Sequence, residues 1–225
     1  MSPRPHPALW SGAAALAVAA GAVHLLAEEA GQDGWALVAK PVPVLLLLAR
    51  VLVAGRSPLR GPLALGLAIS AVGDVLIQRP GGFLAGLGAF LLAHLAYVTG
   101  FWRARPAGLW VRSLPFLLFA GAMGYLIAPG AVGMEIPVAV YILAITAMMW
   151  RASVLVGAPA GPVWLGRLAL GGALLFAASD SLIAVHRFVA PLPWAAFPIM
   201  ALYWLGQSGL AAAAVVAGRA TETEA

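Results

Sequence analysis

Two aspartates stand in stretches that otherwise suit lipid: Asp74 in SAVGDVLIQ (70–78) and Asp180 in AASDSLIAV (177–185). A carboxylate at membrane depth is expensive unless it faces protein or a water-filled cavity, so it reads as functional by default. Two carboxyl groups in different surroundings can divide acid–base work, one delivering a proton while the other stays charged. The same pair would also serve a proton relay in a transporter or sit in the chamber of a lipid-binding protein. The structural alternative is an ion pair of Asp74 or Asp180 with Lys40, holding helices together.

Further polar residues fall at a similar depth. At 1.5 Å rise per residue, Asp74 lies roughly 6 Å, Lys40 roughly 8 Å and Asp180 roughly 10 Å below one end of their spans. Tyr125 and Tyr141 are expected near the same end, and His94, Tyr97, Tyr203 and Gln207 closer to the midplane. His94 and Tyr97, three apart, share a helix face, as do Tyr203 and Gln207, four apart. The opposite halves of the spans hold almost only small and aliphatic residues. The polar groups are therefore expected to turn inward around one chamber. Arg79 and Arg187 sit above the aspartates, where they could anchor the helix ends or receive a phosphate headgroup.

The elements that must position these groups are membrane helices. The chain has 225 residues, 63% of them hydrophobic and 9% charged, with a mean hydropathy of +0.97. Its apolar runs are continuous and about as long as a lipid-spanning helix needs, which excludes a water-soluble domain and argues against a barrel. Eight spans are predicted, at about 8–28, 35–54, 61–78, 82–102, 109–128, 135–156, 164–187 and 194–217, forming one all-α bundle over residues 1–225. Lys40-Pro41-Val42-Pro43 should break the second span early. Assigning loops alternately puts ten of the 13 cations on one side and Lys40, Arg79 and Arg187 on the other. The positive-inside rule then predicts cytoplasmic termini in an inner or plasma membrane. Because the arginines flank apolar runs, the net charge of +5 points to the membrane rather than to nucleic acid. There is no cysteine, and the four histidines are too scattered for a tight metal site. GDVLI and SDSLI lie four spans apart on helices of the same direction, which suggests a four-plus-four parallel repeat.

KPVPVLLL (40–47), SAVGDVLIQ (70–78), HLAY (94–97), YILAITAMM (141–149), SDSLIA (179–184, with Ser179) and YWLGQSGL (203–210) follow in order, one to a span. In these motifs the chain resembles the YhhN family of lysoplasmalogenases. The resemblance implies eight helices and hydrolysis of the vinyl ether bond of a lysophospholipid, lysoplasmalogen, to a fatty aldehyde and a glycerophospho-base. It also implies that the motif aspartates, Asp74 and Asp180, are catalytic. A vinyl ether is labile to acid. The slow step protonates the alkene carbon remote from oxygen, water adds to the resulting oxocarbenium ion, and the hemiacetal collapses. One protonated acid, one charge-stabilising carboxylate and an apolar site for the chain suffice, without a metal or organic cofactor. Asp180, placed deeper and one turn from Phe176 and Ala177, is favoured as the acid, and His94 is the alternative proton donor.

Overall fold

The computed structural model describes residues 7–158 and 162–223. Among the described residues nine α-helices follow in order: α1 (Pro7–Glu29), α2 (Asp33–Ala39), α3 (Val42–Leu52), α4 (Arg60–Ile77), α5 (Phe83–Ala104), α6 (Leu114–Ile127), α7 (Glu135–Leu155), α8 (Val163–Phe188) and α9 (Ala196–Thr223). Short 3₁₀ turns, Trp110–Ser113 and Ala128–Gly130, extend α6 at both ends. Eight stretches among the described residues are long and apolar enough to cross a membrane, with α2 and α3 together making the second. The break in that span falls at Lys40 and Pro41. Proline has no N–H to give the preceding turn, and such a gap is tolerated where backbone is enclosed by protein.

Packing repeats between the two halves. The most extensive contacts join α4 to α5 and α8 to α9; α3 against α4 is matched by α7 against α8, and α3 against α9 by α7 against α5. A single offset of 106 residues relates the paired helices without a gap. It aligns Gly66 with Gly172, Asp74 with Asp180, Ile77 with Ile183, Tyr97 with Tyr203 and Gly100 with Gly206. The repeated glycines are packing devices. A Cβ on Gly66 would stand 2.2 Å from the Tyr97 ring, and one on Gly172 would stand 2.7 Å from the backbone nitrogen of Leu210. Small residues let helix backbones approach in a membrane, where packing rather than water exclusion drives association. A Cβ on Gly206 would lie 2.8 Å from the Phe176 nitrogen, an atom that cannot move aside alone. Gly206→Val is therefore expected to destabilise the α8–α9 pair by about 1–3 kcal/mol, read as a lower melting temperature in detergent. Unchanged melting would mean that these helices separate freely.

At the arginine-rich end, guanidinium groups satisfy the last carbonyls of α7. Arg105 donates to Val154 O at 2.6 Å, and Arg112 to Ser153 O at 2.6 Å and Val156 O at 2.9 Å. Arg151 is buried over the Trp102 ring, 4.2 Å from its centre, and donates to the carbonyls of Ala107 and Arg105. A helix C-terminus leaves carbonyls without intrahelical partners and favours positive charge. These arginines thus hold the loop 105–113 against the bundle as well as marking its polarity.

Candidate active site

The opposite half of the bundle holds the two aspartates, each bonded to a tyrosine from another helix. On α4, Asp74 is fully buried, and the Tyr203 hydroxyl on α9 donates to its Oδ2 at 2.9 Å. Its Oδ1 is buried without a partner. On α8, Asp180 accepts a 2.6 Å hydrogen bond at Oδ2 from the Tyr141 hydroxyl of α7. His94 Nε2, on α5, lies 3.6 Å from the same oxygen. The His94 ring is completely buried, meets Tyr141 edge-on at 5.2 Å, and has no hydrogen bond on either nitrogen.

A third bonded group crosses the bundle. The Tyr97 hydroxyl donates to Gln207 Oε1 at 2.7 Å and lies 3.4 Å from Ser70 Oγ. Gln207 Nε2 is a buried donor without a partner. The hub between the three groups is Phe176, whose ring centre is 4.7 Å from that of His94, 5.3 Å from Tyr203 and 6.4 Å from Tyr97. Asp74, Asp180, His94, Tyr97, Tyr141, Tyr203 and Gln207 thus form one continuous cluster. Buried carboxyls, hydroxyls and imidazole of this kind can pass a proton and steady a developing charge while surrounding rings exclude bulk water.

The two aspartates differ in access. Asp180 is 11% exposed and, with Tyr141, lines a cavity bounded otherwise by apolar side chains such as Phe90, Phe119, Met123 and Ile142. Asp74 is 0% exposed and lines neither this cavity nor a second one. That second cavity, about 320 Å³, opens at the polar end of the bundle between Glu28, Lys40, Gln78, His186 and Arg187.

The remaining expected residues are dispersed. The Lys40 ammonium donates to Gln78 Oε1 at 3.5 Å and forms no ion pair with either aspartate. Arg187 stacks over Phe83, 4.9 Å from the ring centre. Arg79 is exposed at the end of α4 and lines neither cavity. Ser179 donates to Ile199 O at 2.9 Å, which ties α8 to α9 and turns its hydroxyl to backbone rather than to a carboxyl. Tyr125, expected in the polar layer, points outward and is 86% exposed. Gln78 and His186 were not among the expected site residues, and Phe176 entered only as an apolar neighbour of Asp180. Gln78 stands one turn from Asp74, which is the signal that could have found it.

A family model described as the YhhN family matches residues 35–214. Lysoplasmalogenase TMEM86B of Homo sapiens is 36% identical over 181 residues, covering 78% of this chain and 74% of that protein. Lysoplasmalogenase TMEM86A of Bos taurus is 35% identical over 156 residues, 67% of this chain and 63% of its own. A lysoplasmalogenase of Mycobacterium bovis is 37% identical over 144 residues, 59% and 52% of the two chains. No solved structure matches.

Proposed function

The chain belongs to the YhhN family, and from that premise we propose that it is a membrane hydrolase that opens the vinyl ether bond of lysoplasmalogen. The observation that carries this reading is the unequal setting of the two aspartates. Asp180 meets an apolar cavity with Tyr141 and His94 at one oxygen, and Asp74 is enclosed with Tyr203. In this reading the Asp180 carboxyl protonates the alkene carbon remote from oxygen. The electron pair of the double bond forms the new C–H bond, and positive charge develops on the carbon bearing oxygen. The Asp74 carboxylate and the tyrosine hydroxyls steady that charge. Asp74 Oδ1 and Gln207 Nε2, a free acceptor and a free donor, supply the kind of contacts a reacting water needs. Water adds, the proton returns to Asp180, and the hemiacetal falls apart to aldehyde and alcohol. The chain works as one eight-span unit with cytoplasmic termini, and the cluster lies nearer the opposite face.

The test uses purified protein in detergent with lysoplasmalogen. We expect fatty aldehyde and glycerophospho-base, and in D₂O a slower reaction, because carbon protonation limits it. The new hydrogen comes from solvent, so the aldehyde should carry deuterium on the carbon next to the carbonyl. Aldehyde without that deuterium would refute protonation at carbon. A proton-driven lipid flux with no product would refute hydrolysis.

A further inference from the structure

The two cavities are mates under the internal repeat. The 106-residue offset carries Leu87 and Phe90 of the apolar cavity onto Pro193 and Ala196 of the polar one. It carries Gln78 of the polar cavity onto Ala184 of the apolar one, and exchanges Ile77 with Ile183, which line both. The helices agree: the apolar cavity is walled by α4 to α8, and its mate by α1, Lys40 at the break between α2 and α3, α4, α8, α9 and the start of α5. The two hollows thus lie at matching places in the two halves, and side-chain chemistry divides them.

One hollow presents Lys40, His186 and Arg187, with Glu28 on the same wall. His186 Nδ1 accepts from the Leu192 N–H at 2.8 Å, so a neutral His186 carries its proton on Nε2 and remains a donor. Stacking on Phe83 preorients the Arg187 guanidinium. Two cations and an imidazole donor suit a phosphodiester. A nearby carboxylate suits the amine of a zwitterionic headgroup. The other hollow offers aliphatic and aromatic walls. The two share Ile77, Phe83 and Ile183 as a common partition. Asp74 and Asp180 each precede one of those isoleucines by three residues, so each lies on the same helix face about one turn below it.

We infer that a single-chain, phosphate-bearing amphiphile lies across the repeat axis, with its headgroup in the hollow of Lys40, His186 and Arg187 and its hydrocarbon chain in the hollow beside Asp180. The bond joining chain to glycerol then rests at the Ile77–Phe83–Ile183 partition, beside Asp180 and one helical turn from Asp74. This extends the proposed hydrolysis and rests on it for the chemistry, but not for binding.

Two readouts separate them. Binding is measured with a saturated 1-O-alkyl lysophosphoethanolamine, which cannot be cleaved, and turnover with alkenyl substrates that carry or lack the phosphoethanolamine group. Arg187→Met and Lys40→Met should each weaken binding of the uncleavable lipid about tenfold, and should collapse the preference for the phosphate-bearing substrate, acting through KM. Arg187→Lys should retain part of that preference, which guards against a folding defect. Ala184→Phe should shift the preferred chain to a shorter one and leave the headgroup preference intact. Equal losses on both substrates with the arginine and lysine variants, or binding that ignores them, would overturn the inference. So would a headgroup effect from Ala184→Phe. Arginine-dependent binding without aldehyde release would instead overturn the hydrolase reading and leave this one standing.

Discussion

Asp180→Asn is expected to abolish aldehyde release while leaving the protein folded. Asparagine keeps the shape, and its carbonyl can still accept from the Tyr141 hydroxyl that now bonds Oδ2 at 2.6 Å. What disappears is the transferable proton, and a positioned acid contributes roughly 10²–10⁴ in rate. Asp74→Asn should also fall to background, through loss of the charge that steadies the oxocarbenium ion. The melting temperature of each variant is the control. A structural ion pair would behave otherwise, since removing one partner strands a buried charge and destabilises by about 3–5 kcal/mol. Lys40 contacts Gln78 rather than a carboxylate, so adding Lys40→Met to Asp180→Asn should restore neither stability nor turnover. Recovery of both would sink the assignment of Asp180 as the acid, and full activity in either single variant would remove that residue from the mechanism.

Depth was legible in the sequence; orientation about the helix axis was legible only in part. Asp74, Asp180, His94, Tyr97, Tyr203 and Gln207 all turn inward because each is polar in an apolar run and would be costly toward lipid. The spacing of His94 with Tyr97 and of Tyr203 with Gln207 fixes shared faces. It does not pair one helix with another, so the Tyr97–Gln207 and Tyr203–Asp74 bonds appear only once the helices are packed. Tyr125 shows the limit. It has the right depth, but it lies on α6, an apolar helix with little burial, and an outward phenol near a membrane interface is tolerable. Phe176 shows another limit, since an apolar hub looks like any other phenylalanine until its ring neighbours are known. The repeat was suggested only by two short motifs, GDVLI and SDSLI; the constant spacing of Gly66, Asp74 and Tyr97 against Gly172, Asp180 and Tyr203 stands out once the helix pairs that pack alike are known.

Asp180→Glu carries the second large effect. The variant keeps an acid, a hydrogen-bond acceptor for Tyr141 and the same charge states, and moves the carboxyl outward by one methylene. The apolar cavity beside Asp180 has room for the longer side chain, so folding should be preserved. Proton delivery to carbon tolerates displacement poorly, and a misplacement of about 1 Å can cost on the order of 10²-fold. The loss should appear chiefly in kcat, because only the transition state needs the proton at that point. The D₂O effect should persist or grow, since the impaired step is the transfer itself. A purely structural carboxyl predicts the reverse pattern: glutamate would bond Tyr141 from its new position, turnover would follow melting temperature, and no isotope effect would accompany the change. Wild-type kcat in Asp180→Glu, with an unaltered isotope effect, would move the proton donor away from Asp180 and make His94, 3.6 Å from the same oxygen, the residue that delivers it.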